Sequence, residues 1–384
     1  MKKLLAMTAL SMSLTGSVLA ADTVKVGMLL PYSGVYAALG KEIEAGFNLG
    51  MAEYGAGLDI EIVREDSEAD PAKSLAKARK LVLQDKVDVM SGVVSSAVAG
   101  ALRDFVHGAK VPLMITNAGN DSVTGKSCSP YISRFSFSNS QVNRPMGQWM
   151  YDQGIRKVFT LAPDYTAGHE MIDSFTATFE AAGGEVIGGE FTPFRKTKDF
   201  GPYLATAKAS GADAVFVFYA GGEAISFVKQ YDSFGLKAET PLFGSGFLTS
   251  PLYVKAEGPA AVGVKAILHY VPTIESDLNA AFVKNFQAKH EGRSPSEFAV
   301  AGYDAAHALA LAVKDGATDR ASIAKAISKV SFDGPRGPVE IDPKTNNIVQ
   351  SLYVYETVVS GESLTQKVLA QLPVERDAAN GCAM

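Results

Sequence analysis

The sequence predicts an α/β fold made of two doubly wound lobes with parallel-dominated sheets, joined by a hinge that the chain crosses three times. Three observations lead there. Strand-forming runs alternate with helically spaced runs, the alternation restarts once near the middle of the chain, and three late helices follow one another with no strand between them.

Taken in order, TVKVGMLL is an unbroken run of strand formers, and Leu39–Tyr54 resumes at helical spacing. LDIEIVRED reads as strand, Pro71–Gln84 as helix, VDVMSGV as strand, Ser96–His107 as helix and PLMIT as strand. After RFSFSNSQ the pattern begins again. Gln141–Gln153 is helix, KVFTLAP strand, Ala167–Ala182 helix, EVIGGEF strand, Phe200–Ser210 helix, DAVFVFYA strand, Glu223–Phe234 helix and TPLFGSG strand. VGVKAILHYV is a further strand. Asp277–His290, Phe298–Lys314 and Ala321–Ser328 then form no βαβ unit, so they must cover an existing sheet, which is assigned to the first lobe. GPVEID and SLYVYETVV return to the second. The expected division is residues 21–137 with 272–331 as one lobe and 138–271 with 332–384 as the other, with crossings near Ser136–Asn139, Val271–Thr273 and Ser331–Gly334.

Residues 1–20, MKKLLAMTALSMSLTGSVLA, carry two lysines, a short apolar stretch and small residues before Ala21, the pattern of a cleaved export leader. No cysteine follows that cleavage point, so a lipid anchor is not expected. Removing Lys2 and Lys3 from a formal charge of -5 gives -7, a mild acidity that argues against nucleic acid or an anionic membrane as partner. Only Cys128 and Cys382 are present, and in an oxidising compartment they are expected to pair. The histidines, His107, His169, His269, His290 and His307, are scattered, and no metal site is expected.

In open α/β sheets a ligand lies beyond the carboxyl ends of the strands. The loops there, PYSGVYAAL, SSAVAG, TNAGND, APDYTAGHE, YAGGEA and GSGFLTSP, are rich in Ser, Thr, Asn, Gly and Tyr and nearly empty of Lys, Arg and His. They offer hydrogen bonds without a general base. Ser95 and Ser96 stand at the start of a small-residue helix, where free N–H groups and the positive dipole end suit an anion; capping of their own helix is the plainer alternative. A phosphate would recruit basic side chains, and their absence favours a carboxylate. Tyr36 and Leu39 offer an aromatic and an apolar wall, or simple packing. Neither nucleotide-binding glycine fingerprint is present, nor G-x-S-x-G. S-x-x-K at Ser74–Lys77 and Ser322–Lys325 falls inside helices without companion motifs, and His169 has no assignable nucleophile. No enzyme activity and no cofactor are expected.

The runs VKVGMLLPYSGVYAALGKEIEAGFNL, DPAKSLAKARKLV, DVMSGVVSSAVAGAL, VPLMITNAGND, APDYTAGHEM and FAVAGYDAAHALALAV, in this order, resemble the periplasmic solute-binding proteins of ABC transporters, branched-chain amino acid type. The resemblance implies the type I periplasmic binding fold with Rossmann-like lobes, a periplasmic monomer, and delivery of a small ligand to a cognate membrane permease. It implies that Ser96, preceded by Ser95, receives a ligand carboxylate together with Asn117, Ala118, Gly119 and Asn120. On the second lobe it implies contacts from Tyr165 and from Tyr219, Ala220 and Gly221. Amino acid binders of this type place an acid where this chain has Gly246 and Phe247. A buried ammonium without a partner costs several kcal/mol, on the order of 3–5, so an aromatic carboxylate is expected unless Asp164 or Glu223 supplies the charge. The stretch NAGNDSVTGKSCSPYISRFSFSNSQ also resembles a subgroup that handles benzoate and phenylpropenoate derivatives. The alternatives are an amino acid or amide binder of the same family, a sensor domain acting through a separate signalling partner, and an exported hydrolase, which the missing triad disfavours.

Overall fold

The structure is a computed structural model that describes residues 23–384; the expected leader, residues 1–20, lies outside the described residues. Strand β1 (Val24–Leu30) passes through a 3-10 turn into α1 (Ala37–Tyr54), followed by β2 (Ile60–Asp66), α2 (Pro71–Leu83), β3 (Val89–Gly92), α3 (Ser96–Ala109), β4 (Leu113–Ile115) and β5 (Ile132–Arg134). These strands form one wholly parallel sheet in the order β2-β1-β3-β4-β5. The sequence analysis assigned no strand to Ile132–Arg134. Three residues between loops are too few to show a period, and they are strand because β4 pairs with them in register.

The second series runs α4 (Asn139–Asp152), β6 (Lys157–Pro163), α5 (Thr166–Ala181), β7 (Glu185–Thr192), α6 (Gly201–Ala209), β8 (Ala214–Val217), α7 (Gly221–Ser233), α8 (Leu236–Glu239), β9 (Leu242–Ser245), α9 (Val254–Glu257) and β10 (Lys265–Leu268). Helices α10 (Asp277–Lys289), α11 (Glu297–Lys314) and α12 (Arg320–Ile327) come next, then β11 (Ser331–Gly334), β12 (Gly337–Ile341), β13 (Ile348–Ser360) and β14 (Ser363–Glu375). The second sheet has the order β11-β12-β13-β10-β9-β8-β6-β7, with β14 on β13. Its centre is parallel, and β13 joins β10 antiparallel. β14, also unassigned from sequence, is a polar-rich antiparallel partner of β13 across a short turn at Gly361.

The late helices lie on the first sheet's lobe. α11 packs against α1 so closely that a Cβ on Gly46 would stand 1.8 Å from the Ala299 carbonyl oxygen, so only glycine permits the approach. Arg320 at the start of α12 donates to the Val87 carbonyl beside β3 at 2.7 Å. Helix starts follow local chemistry: Asp70 accepts from Lys73 N ahead of Pro71, Ser138 accepts from Gln141 N, and Asp319 with Ser322 forms a capping box. Cys128 and Cys382 are joined in a disulfide with Cα atoms 5.5 Å apart, which fastens the C-terminal tail beside the first lobe. Among the described residues no helix is long and apolar enough to cross a membrane.

Both sheets reverse their strand order, at β1/β3 in the first and at β6/β8 in the second. The crevice at those reversals is where α/β sheets place ligands.

Candidate functional site

One cavity lies between the carboxyl ends of the two sheets, with an empty volume of about 320 Å³. The loop after β1 gives it Tyr36 and Leu39, the loop after β3 Val94 and Ser96, and the loop after β4 Asn117 and Gly119. From the other sheet come Tyr165, Ala167 and Met171 after β6, Phe218 and Ala220 after β8, and Phe247 after β9. Phe137 and Asn139 enter from the segment joining the sheets, and Phe298 from α11. Among the described residues, no Asp, Glu, Lys, Arg or His lines it.

Its polar side is built on the start of α3. Ser95 is the N-cap in extended conformation, yet its hydroxyl caps nothing. Ser95 Oγ is buried and has no partner among the described residues. Ser96 Oγ accepts from Asn139 Nδ2 at 3.2 Å. Helix α3 turns its positive end toward these hydroxyls, which suits an anion. Asn117 reaches the cavity with its amide donating to Val94 O at 3.0 Å.

The rest is apolar and aromatic. Phe247 packs against Phe137 at 4.8 Å, Phe298 at 5.9 Å and Phe218 at 6.1 Å between ring centroids, in tilted and edge-on arrangements. Tyr36 of the first lobe and Tyr165 of the second both meet the Phe194 ring, at 6.3 Å and 3.9 Å between centroids. Burial pushes both phenols above their ordinary range, so both are neutral hydrogen-bonding groups. This contact joins the lobes over the cavity.

Several expected residues stand elsewhere. Tyr219 is turned into the second lobe's core, its hydroxyl 3.2 Å from Thr192 Oγ1 and its ring stacked on Phe227 at 4.6 Å. Side chains alternate along an extended segment, so Phe218 faces the cavity and Tyr219 cannot. Ala118 is fully buried, and its N–H is taken by Val93 O at 3.0 Å. Asn120 donates to Ser96 O at 3.2 Å and accepts from Ser122 N at 2.9 Å, so it braces the site's frame. Gly246 packs on β10, where a Cβ would meet Leu268 Cβ at 2.5 Å. Gly221, at φ 60°, lets α7 begin against Val35 O and the Tyr36 ring, behind the cavity wall.

Neither acid considered as an ammonium partner reaches the cavity. Asp164 pairs with His169 at 2.8 Å on the exposed rim, and Glu223 Oε1 accepts from Arg195 N at 2.9 Å. Glu170 stands behind Asn139, accepting from its Nδ2 at 2.6 Å; burial and the neighbouring Asp121 push its carboxyl up to about 7. The sequence analysis missed Asn139, Phe137, Phe298, Phe218 and Met171. FSNSQ at the first crossing was the available signal for the first two.

The profile of the periplasmic binding protein family matches residues 23–362. The chain belongs to that family. It is a periplasmic substrate-binding protein of the ABC-transporter kind, a transport component that binds a small molecule and works with a membrane permease. This periplasmic binding protein is 36% identical over 368 residues, 93% of either chain, to "Leu/Ile/Val-binding protein homolog 6" of Brucella melitensis. It is also similar to a solute-binding protein of R. palustris solved in complex with benzoate, with a TM-score of 0.88 and 36% identity over 94% of this chain and 100% of that one. A second R. palustris solute-binding protein, in complex with 4-hydroxybenzoate, gives 0.87 and 32% over 93% and 98%.

Proposed function

We propose that this periplasmic binding protein captures one small aromatic monocarboxylate, of the benzoate or phenylpropenoate type, between lobes divided as residues 21–137 with 272–331 and 138–271 with 332–384. The observation that carries the reading is the cavity's composition: the Ser96 hydroxyl at a helix start with Asn117 and Asn139 on one side, a phenylalanine cluster on the other, and, among the described residues, no charged side chain. Ser95, Ser96 and the Gly119 backbone hold the carboxylate on the first lobe, and Tyr165, Phe218 and Phe247 close over the ring. A micromolar site needs about 8 kcal/mol, within reach of charge-assisted hydrogen bonds plus one buried ring.

The benzoate and 4-hydroxybenzoate bound in the two R. palustris structures support this reading, while the name of the Brucella relative points to branched-chain amino acids. An α-amino acid brings an ammonium, and no carboxylate lines the cavity to receive it. Export through the leader at residues 1–20 and action as a monomer complete the proposal.

Isothermal calorimetry of the mature chain with benzoate, cinnamate and leucine tests it. Micromolar binding of an aromatic acid, with leucine at least about a hundredfold weaker, is the expected result. Tighter binding of leucine would overturn it.

A further inference from the structure

We propose that Asn139 is a positioning residue that aims the Ser96 hydroxyl at the ligand, a role that rests on the carboxylate reading above. An amide NH2 carries two hydrogens. At Asn139 one goes to Glu170 Oε2 at 2.6 Å and the other to Ser96 Oγ at 3.2 Å. Ser96 Oγ is thereby an acceptor toward the protein, and its own hydrogen is left for a group inside the cavity. Ser95, whose hydroxyl is buried and unpartnered among the described residues, precedes it at the helix start, and the Ser96 O–H, on the cavity wall, is the donor left for a carboxylate oxygen.

The orientation of the Asn139 amide decides the polarity of Ser96. Turned over, the amide would set Oδ1 against the Glu170 carboxylate and draw the Ser96 hydrogen to itself. The serine would then offer lone pairs to an anionic ligand. Ionised Glu170 prevents this by accepting from Nδ2, and it also accepts from Asp121 N at 3.2 Å. The backbone of Asn139 is fixed as well: its N–H donates to Gly119 O at 2.7 Å, and its carbonyl accepts from Asn143 Nδ2 at 3.1 Å. Ser96 and Asp121 follow strands of the first sheet, whereas Asn139 and Glu170 lie on α4 and α5 of the second lobe. The arrangement thus spans both lobes, and closure assembles it.

The test is calorimetry with benzoate on the full mature chain and on Ser96→Ala, Asn139→Ala and the double variant. Each single change is expected to weaken binding by about fivefold or more. The double variant should bind within about twofold of Ser96→Ala, because a positioning group has no effect once its target is gone. Asn139→Asp, equal in shape but without the two hydrogens, should weaken binding at least as much as Asn139→Ala, which keeps the test open if the alanine variant does not fold. Losses that multiply in the double variant, or wild-type affinity in Asn139→Asp, would overturn the positioning role while leaving the carboxylate reading standing. Absence of benzoate binding by the wild-type chain would overturn both.

Discussion

Arg336 Nε donates to Asp304 Oδ2 at 2.6 Å, and both side chains are fully buried. Other guanidinium hydrogens go to Gln350 Oε1 at 2.8 Å, Phe135 O at 2.8 Å and Ser136 O at 3.4 Å. One cation thus joins α11, the segment leaving β5, the turn between β11 and β12, and β13, which are the parts that meet where the lobes are connected. A buried pair is weak evidence of net stabilisation, but breaking it leaves an uncompensated charge. Asp304→Asn is therefore expected to lower unfolding free energy by about 3–5 kcal/mol in urea titration. A loss below about 1 kcal/mol would mean that the hinge relaxes around the orphaned guanidinium.

The disulfide acts elsewhere, on the C-terminal tail. Cys128 and Cys382 are 254 residues apart, so the bridge restricts a very long loop of the unfolded chain. Loop-closure entropy sets an upper bound of about 5 kcal/mol for that length. The tail is also held by Asp377, which accepts from Asn347 Nδ2 at 2.8 Å and pairs with Arg144 at 3.3 Å. In Cys128→Ala with Cys382→Ala, stability should fall by roughly 2–5 kcal/mol, and fast hydrogen exchange should appear at Asn380–Met384 while residues near Asp377 stay protected. Unchanged stability would contradict the loop argument.

Much of this architecture is legible in the sequence. Buried parallel strands such as Val24–Leu30 and Ala214–Val217 read as continuous apolar runs, and the helices between them keep their spacing. Of the site, Tyr36, Leu39, Ser96 and Phe247 follow from their place just after a strand. Tyr219 was misplaced because a shift of one residue reverses the face of an extended segment, and the sequence does not mark where β8 ends. Asn139 and Phe298 come from helices that only the tertiary fold brings to the crevice. β14 escaped because its exposed face breaks the apolar alternation.

Stability should depend on pH through buried acids. Both oxygens of Glu257 are buried without a partner among the described residues, and burial pushes its carboxyl up to about 9 against a weaker opposing pull from Lys229. Glu297 is raised to about 8 and Glu223 to about 7, mainly by burial. A folded pKa above the unfolded one means that the folded state binds the extra proton. The contribution is fully present below the unfolded value of about 4.3 and declines as pH rises through the folded value. The urea midpoint should fall from pH 5 to pH 9, and Glu257→Gln should flatten the upper part of that fall. A midpoint independent of pH would contradict the burial of these groups in protonated form.

The absence of charged residues from the cavity wall also fixes how binding responds to salt and to ligand charge. A carboxylate held by lysine or arginine near the surface loses affinity as salt rises, because mobile ions screen the attraction. On the proposed reading the donors are hydroxyls and helix N–H groups with no charged side chain on the described wall, so benzoate affinity should change by less than about twofold between 50 and 500 mM NaCl. Benzamide has nearly the same shape, yet its NH2 would point hydrogens at the hydrogens of Ser95 or Ser96. It should bind at least about fivefold more weakly, since an unmatched buried donor costs roughly 1–3 kcal/mol. Competition between the two ligands in a thermal-shift assay measures both effects, and equal binding would show that the ring alone, without its anion, is what the cavity holds.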